Sequence, residues 1–280
     1  MSAETAWSIA RVLLVALLLV ILLIRVFEDR MVFFPEPARP SDQTPAQAGV
    51  KVEDVFLTTS DGVKIHCWWA ETPGAQRTVL YFHGNAGNLS LRLPTIGWLQ
   101  QLPANVLAVD YRGYGKSEGQ PTEEGVYRDG EAAYDYLVNE RKILPEQIVV
   151  LGQSLGTAVA VDVASKKPVG AVILEAGFPS AKRVAQVAMW LPGVWLVMRS
   201  DFNSARKLKA VRAPVLVAHC RQDLVIPFVL GEELYAAANQ PNRFIAYQGD
   251  CHEPVYTADP RDYTARVRAF LGLGPEPPGH

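Results

Sequence analysis

Gly152-Gln153-Ser154-Leu155-Gly156 follows directly on an apolar run at residues 148–151, and a helix-forming stretch begins at Leu155. A serine between two glycines at this spacing is typical of a sharp turn from a strand into a helix, which holds the serine hydroxyl in the open. Glycine at the flanking positions lets neighbouring backbone approach closely. The stretch therefore predicts that Ser154 is a nucleophile, although the same five-residue pattern also occurs in ordinary glycine-rich loops.

Short apolar runs on both sides of this stretch predict a sheet that is mostly parallel. Runs that do not alternate with polar residues are buried on both faces, as parallel strands are. Two further segments alternate around the turn Ser60-Asp61-Gly62 and predict an antiparallel hairpin that precedes the parallel strands. We therefore expect an α/β fold with helices on both faces of the sheet. The predicted strands are residues 52–58, 63–70, 78–82, 106–109, 148–151, 169–174, 215–218 and 243–247, and the predicted helices are 91–101, 123–140, 155–165, 228–239 and 260–271.

The first thirty residues predict a single-pass membrane anchor. Residues 12–24 are unbroken aliphatic sequence, and together with residues 6–11 they approach the ~20 residues that a bilayer requires. No small-x-small cleavage site follows closely, so an uncleaved helix is favoured over a signal peptide. Arg25 and Arg30 on one flank compete with Arg11 and the amino terminus on the other, which leaves a weak bias toward a cytoplasmic domain.

The remaining chain divides into a tether, one domain and a tail. Residues 31–49 contain four prolines and predict an extended tether, residues 50–273 the globular domain, and residues 274–280 a carboxyl-terminal tail. An insertion at about residues 176–211 contains Trp190 and Trp195. It is a candidate cap over the site, with both tryptophans contacting substrate; the alternative is a helix whose aromatic side chains pack on the sheet.

Charge and cysteine content exclude several classes of function. The 280 residues carry 27 Lys and Arg against 29 Asp and Glu, with no long basic run, so we expect no nucleic-acid partner. Cys67, Cys220 and Cys251 show no Cys-x-x-Cys spacing, which argues against a disulfide-rich scaffold or a zinc finger. We expect no metal and no cofactor. The oligomeric state and the pairing of Cys220 with Cys251 stay open.

Chain order selects a base and an acid for Ser154. A serine hydroxyl needs a base beside it, and that base needs an orienting carboxylate. In strand-turn-helix sites the acid and then the base follow the serine, and among the five histidines this order favours His252. Asp223 lies just past the run 215–218, where parallel strands place reactive side chains. Glu175, at the end of the preceding strand, is the alternative acid.

Backbone N–H groups complete the predicted site. Acyl transfer requires donors aimed at the developing oxyanion, one from the residue after the nucleophile and one from the loop after an early strand. Leu155 supplies the first. The loop His83-Gly84-Asn85-Ala86-Gly87-Asn88 follows the run 78–82 and supplies the second, the N–H of Asn85. We expect His83 itself to brace this loop.

These motifs together resemble those of α/β-hydrolases. The His83 loop, Asp110-Tyr111-Arg112-Gly113-Tyr114-Gly115-Lys116-Ser117, the stretch around Ser154, residues 223–227 and His252 are similar to the Bem46/ABHD13/ABHD17-like branch, which is often grouped with the serine aminopeptidase domain. The resemblance covers nearly all of residues 50–271. It implies an α/β-hydrolase fold with Ser154, Asp223 and His252 as the catalytic triad.

The activity that this resemblance implies is hydrolysis of carboxylic esters or thioesters of acyl chains. Lipid-like substrates are favoured because the anchor brings membrane lipid close to the site. A serine peptidase is the alternative enzyme, and a catalytically silent membrane-bound binding protein on the same scaffold is the alternative of another class. The chain departs from the family where Cys220 and Cys251 stand in place of glycines, each in a loop that carries a predicted triad residue.

Overall fold

A computed structural model describes residues 2–188, 193–252 and 254–274 of the chain. Eight strands in the described residues lie where the sequence predicts them, and most of their side chains are buried. Two further strands, of two residues each, are not among the predicted ones. In chain order the strands are β1 (Phe34–Pro35), β2 (Glu53–Thr58), β3 (Lys64–Ala70), β4 (Arg77–Phe82), β5 (Ala86–Gly87), β6 (Ala104–Asp110), β7 (Ile148–Gln153), β8 (Ala171–Glu175), β9 (Val215–Cys220) and β10 (Asn242–Tyr247).

Eight of these strands form the central sheet, in the order β10-β9-β8-β7-β4-β6-β3-β2. All neighbours from β10 to β6 are parallel, while β3 is antiparallel to both β6 and β2. The carboxyl ends of β4, β7, β8, β9 and β10 therefore meet at one edge of the sheet, which we call the carboxyl edge. The predicted parallel sheet with an antiparallel amino-terminal hairpin is confirmed.

Helices cover both faces of this sheet. Alternate side chains of one strand enter opposite cores: Leu80 and Phe82 pack with α3, α4, α6 and α7, whereas Val79 and Tyr81 pack with α2 and α8. This two-sided burial explains why β4 carries no polar face. The helices are α1 (Ala3–Val32), α2 (Leu93–Leu99), α3 (Glu123–Asn139), α4 (Leu155–Lys166), α5 (Ala181–Ala188), α6 (Ser204–Leu208), α7 (Phe228–Ala237) and α8 (Pro260–Leu271).

Helix α1 is long and apolar enough to cross a bilayer. Its most apolar window of 18 residues has a mean hydropathy of 2.9, and none of that window is buried against the rest of the protein. A signal sequence near the amino terminus would share these properties. The helix continues to Val32, two residues beyond the predicted anchor.

The segment after α1, predicted as an extended tether, begins with specific contacts to the domain. Phe33 is buried, and its ring meets that of Phe202 with the centroids 5.9 Å apart. Strand β1 then pairs in parallel with β5, which lies in the loop after β4. The first residues of this segment are thus folded onto the carboxyl edge.

The insertion at residues 176–211 has two parts with different packing. Helix α6 packs against α4, and Leu208 at its end and Val211 after it are fully buried in the core. Helix α5 packs instead against a short 3-10 turn at Val194–Leu196, which carries the half-buried Trp195. Trp190 lies outside the described residues. We call the described residues of this second part, 181–188 and 193–200, the cap.

Candidate active site

Ser154 occupies the turn between β7 and α4, at the carboxyl edge of the sheet. Its backbone has φ 48° and ψ −116°, in the left-handed half of the map that side chains rarely adopt. A Cβ atom added to Gly152 would lie 2.3 Å from the carbonyl oxygen of Gly156, and one added to Gly156 would lie 2.2 Å from that of Phe82. Both flanking positions therefore need glycine because backbone atoms approach them directly.

The structure brings His252 between Ser154 and Asp223. The His252 Nε2 atom lies 3.0 Å from Ser154 Oγ, and Nδ1 lies 2.8 Å from Asp223 Oδ2. A carboxylate can only accept, so Nδ1 donates to Asp223 and the neutral ring keeps Nε2 free to accept the serine proton. In this arrangement the imidazole can act as a general base toward the hydroxyl.

The turn after β9 holds the Asp223 carboxylate in place. Its Oδ1 atom accepts backbone hydrogen bonds from Val225 and Ile226, both at 2.8 Å, and its Oδ2 atom lies 3.4 Å from His219 Nε2. Burial alone would raise the pKa of Asp223, but hydrogen bonds from His219, His252 and Ile226 outweigh it and hold that pKa well below its ordinary value. Asp223 is therefore ionised at neutral pH and can stabilise a protonated His252.

Glu175, the alternative acid, is fully buried behind the nucleophile. Its Oε2 atom accepts from Gln153 Nε2 at 2.8 Å, and its Oε1 atom accepts from the Tyr263 hydroxyl. Its backbone carbonyl accepts the N–H of Ser154 at 2.9 Å. Glu175 thus contacts the serine turn from behind, whereas Asp223 contacts His252.

The loops that carry Asp223 and His252 are joined to each other. Cys220 at the end of β9 and Cys251 before His252 form a disulfide with their Cα atoms 5.6 Å apart. The N–H of Gln222 also donates to the carbonyl of Gly249 at 3.1 Å. This pairing, left open by the sequence, places a covalent bond beside both partners of Ser154.

The two predicted oxyanion donors belong to segments that touch. Leu155 opens α4, whose Gly156 lies against the carbonyls of Phe82 and His83 at the start of the loop that contains Asn85. His83 braces this loop, because its Nδ1 atom donates to the carbonyl of Gly84 at 2.6 Å.

The side chain of Asn85 has a role that the sequence did not indicate. Its Nδ2 group donates to the carbonyl of Val32 at 2.6 Å, and its Oδ1 atom accepts the N–H of Phe34 at 3.2 Å and the hydroxyl of Tyr114 at 2.9 Å. The predicted oxyanion loop is therefore tied to the end of α1. No local sequence pattern could reveal a contact between residues about fifty positions apart.

Asp110 is a second residue that sequence reasoning left without a role. This buried carboxylate is the last residue of β6 and the first of the quoted motif, and it accepts the N–H of Leu89 at 3.0 Å. His66 Nδ1 and His83 Nε2 each lie 3.5 Å from it. Burial tends to raise the pKa of Asp110, but these two imidazoles lower it overall. The aspartate therefore fixes the far side of the loop that contains Asn85.

The described part of the chain contains no cluster of side chains suited to bind a metal ion. No group of three or more His, Cys, Asp or Glu side chains is arranged there to hold an ion. The site chemistry that these residues offer is nucleophilic attack by serine with an imidazole base and an ionised carboxylate.

The chain is similar in sequence to a known fold family and to proteins of other organisms. A profile of the alpha/beta hydrolase fold matches residues 77–209. The alpha/beta hydrolase domain-containing protein WAV2 of Arabidopsis thaliana is 33% identical over 269 residues, with 88% of this chain and 87% of that protein covered. The uncharacterised protein Rv2307c of Mycobacterium tuberculosis is 34% identical over 277 residues, covering 97% of each chain.

A solved structure shows the same fold. An esterase of Pyrococcus furiosus, Pf2001, superposes with a TM-score of 0.70 at 24% sequence identity, over 86% of this chain and 98% of that one. The parallel sheet, the strained serine turn and the similarity to WAV2 agree with one another. The chain belongs to the alpha/beta hydrolase fold family.

Proposed function

We propose that the protein is a membrane-anchored serine hydrolase that cleaves carboxylic ester or thioester bonds through an acyl-enzyme on Ser154. The observation that carries this proposal is the single imidazole of His252, which lies in hydrogen-bond reach of both the Ser154 hydroxyl and the Asp223 carboxylate. Nothing in the packing of the core requires these three side chains to meet. A catalytically silent binding protein would have no need of the arrangement.

The proposed reaction has two half-reactions. Ser154 Oγ attacks the acyl carbon while its proton passes to His252 Nε2, and the N–H groups of Asn85 and Leu155 bind the resulting oxyanion. The protonated His252 then donates to the leaving alcohol or thiol. A water molecule, deprotonated by the same imidazole, attacks the acyl-enzyme and releases the acid and free Ser154. Asp223 stays ionised throughout and stabilises the imidazolium.

The substrate class rests on the anchor and on the relatives. An apolar helix that inserts in a bilayer keeps the site close to amphiphilic acyl substrates, and Trp190 and Trp195 are the proposed apolar contacts for an acyl chain. Two structural neighbours are named esterases, Pf2001 and a domain of a Rhodothermus marinus protein, and this supports ester over amide substrates. We also propose membership of the Bem46/ABHD13/ABHD17-like branch, on the motifs around His83, Ser154 and His252.

Labelling with a fluorophosphonate probe tests the nucleophile. We expect the full chain in detergent to be labelled covalently and the Ser154→Ala variant to remain unlabelled, because the probe reacts only with an activated serine. Ser60→Ala, at an exposed turn far from the site, is the matched control and should label like the parent chain. An unlabelled parent chain would sink the proposal that this is a serine hydrolase.

A substrate series separates the remaining alternatives. We expect turnover of p-nitrophenyl esters and acyl thioesters to exceed that of aminoacyl amides, and to rise with acyl chain length. Ser154→Ala should abolish turnover of every member of the series. A preference for aminoacyl amides would instead identify the peptidase alternative.

A further inference from the structure

The end of α1 and the cap lie side by side. Glu28 is almost fully buried, and its carboxylate accepts the backbone N–H groups of Arg199 at 2.8 Å and Ser200 at 2.7 Å. The Arg199 guanidinium also pairs with Asp29 at 3.0 Å. Three residues earlier on the helix, Arg25 Nε donates to the carbonyl of Val197 at 3.2 Å. Residues 197–200 therefore run along the last turns of α1 in the same direction as the helix.

This pairing sets the depth of the cap relative to a bilayer. Arg25 is the first charged residue after the apolar run, so in a membrane it lies at the boundary between the hydrocarbon and the headgroups. Val197 lies level with Arg25, and Leu196 directly precedes it. With a rise of 1.5 Å per residue, Val32 stands only about 10 Å further out, against a headgroup layer of roughly 5–8 Å. The cap is thus held at the level of the headgroups.

Exposed apolar side chains are concentrated on the same end of the domain. Beyond residue 49, eight large apolar side chains are exposed in the described part of the chain, and six of them lie on the cap or in segments that follow the carboxyl ends of strands. These six are Leu91, Val187, Leu196, Leu224, Val225 and Val229. The other two are Phe56 on β2 and Leu144 at the opposite edge of the sheet. Leu196 is 75% exposed, which is costly in water and favourable in contact with lipid.

We infer that the cap is a membrane-contacting surface, with Leu196 inserted among the lipids next to α1, so that the site of Ser154 opens toward the bilayer. This inference rests on the proposed anchoring by α1 and deepens it, because it specifies a lipid surface as the partner of the cap. The Glu28 carboxylate fixes the cap to the helix, and the Asn85 side chain fixes the loop beside the nucleophile to the same helix end. An acyl substrate can then enter from the bilayer without crossing water.

Site-specific fluorescence tests the depth of Leu196. The full chain carries no exposed thiol, since Cys67 is buried and Cys220 is bonded to Cys251. A Leu196→Cys variant can therefore be labelled selectively with an environment-sensitive fluorophore and reconstituted in phosphatidylcholine vesicles. Leu144→Cys, another exposed leucine but at the opposite edge of the sheet, is the matched control. Vesicles that contain spin-labelled phosphatidylcholine then quench only a fluorophore in contact with lipid.

We expect a blue shift and strong quenching for the label at position 196, and neither for the label at position 144. Equal quenching at both positions, or none at 196 in a protein that resists carbonate extraction, would overturn the inference. A blue shift at 196 that is the same in detergent and is insensitive to the quencher would indicate a second protein copy and would also overturn it. Loss of the protein on carbonate extraction would instead contradict the anchoring itself.

An activity measurement shows whether the contact serves catalysis. We expect Leu196→Asp to lower turnover of a long-chain ester embedded in vesicles while turnover of a short soluble ester is unchanged, because only the former must leave the bilayer. Leu144→Asp should change neither. Equal loss on both substrates would contradict entry from the membrane, and fluorophosphonate labelling of Ser154 in the same samples shows separately whether the hydrolase is active.

Discussion

Gly156 affects both the packing of the backbone and the position of the nucleophile Ser154. Its missing side chain lets the start of α4 lie against the carbonyls of Phe82 and His83, which begin the loop containing Asn85. The distance between the nucleophile and the proposed oxyanion donors is therefore set by contact between two stretches of backbone. A methyl group at this position would push them apart.

We accordingly expect Gly156→Ala to lose activity and to unfold more easily. Backbone at 2.2 Å and 2.7 Å from the new Cβ cannot yield as a flexible side chain would, so the overpacking should cost at least about 1–3 kcal/mol. Thermal unfolding and fluorophosphonate labelling measure the two effects. Gly97→Ala in α2 is the control, because its Cβ would meet only Val50 at 3.7 Å and the helix should gain roughly 0.5–1 kcal/mol. Equal behaviour of the two variants would contradict the close approach.

The contact between Asp223 and His252 predicts an effect of Asp223 on catalysis. We expect Asp223→Asn to lower kcat by a factor on the order of 10⁴, as removal of the carboxylate charge does in a serine protease. Asp250→Asn changes an exposed carboxylate near the same loop and should leave kcat within a small factor of the parent value. A loss confined to Glu175→Gln would identify Glu175 as the acid instead.

The lowered pKa of Asp223 predicts how the stability of the fold depends on pH. The pKa of Asp223 is lower in the folded chain than the ~3.9 of an unfolded aspartate, so its stabilising effect is complete above about pH 5. As the pH falls below ~4 the unfolded chain takes up the proton first, and this stabilisation is lost. The difference in free energy of unfolding between the parent chain and Asp223→Asn should therefore shrink from pH 7 to pH 3 in urea titrations. A constant difference would contradict the lowered pKa.

At the scale of elements, local sequence is enough to predict most of the strands that form the core. The strands begin and end within about two residues of their predicted positions at β4, β7 and β9, because continuous burial requires continuous apolar sequence. The pairing of β1 with β5 could not be predicted in this way, since strands of two residues have no periodicity. Nor could the contact of Glu28 with Ser200, in which a carboxylate binds backbone N–H groups 172 positions away.

The candidate site likewise has residues that the sequence predicts and contacts that it does not. Chain order was enough to place Ser154, Asp223 and His252 as candidates, because the ends of parallel strands meet at one edge. Which side chains brace them depends on how loops cross one another. The bond between Cys220 and Cys251 arises from that crossing, and no spacing rule fixes it in advance.

The disulfide between the loops after β9 and β10 predicts an effect of reduction on stability. Closing a loop of this length is worth about 3–4 kcal/mol in the chain-entropy model, and each kcal/mol shifts the Tm of a domain of this size by roughly 2–4 °C. We expect dithiothreitol to lower the Tm of the parent chain by several degrees. The Cys251→Ser variant should start from the lower Tm and show no further change with dithiothreitol. A Tm that responds equally in both chains would show that reduction acts elsewhere.

At the scale of the whole molecule, helix α1 and the α/β domain share one boundary region, residues 25–37. Phe33 packs on Phe202 in the core, β1 extends the loop after β4, and Glu28 binds the cap. The most apolar 18-residue window of α1, by contrast, is not buried against the domain. The chain should therefore tolerate loss of residues 2–24 far better than loss of this boundary region.

Two truncations test this division. Removing residues 2–24 should give a water-soluble hydrolase with a Tm close to that of the parent chain and full fluorophosphonate labelling of Ser154. Removing residues 2–36 also deletes the Glu28 and Phe33 contacts. Burying one phenylalanine is worth about 1.5–3 kcal/mol, so the Tm of this second truncation should fall by several degrees or more. Circular dichroism melts measure both truncations.

The point variant Phe33→Ala separates the packing contact from the loss of chain. In the full-length protein it should lower the Tm in the same direction as removal of residues 2–36, because the cavity beside Phe202 remains unfilled. Equal melting of both truncations would show that residues 25–36 are only a tether, and the cap would then lose its fixed height above the bilayer. A selective loss in the longer truncation would instead mean that residues 25–36 are part of the folded domain, as the inferred position of the cap beside α1 requires.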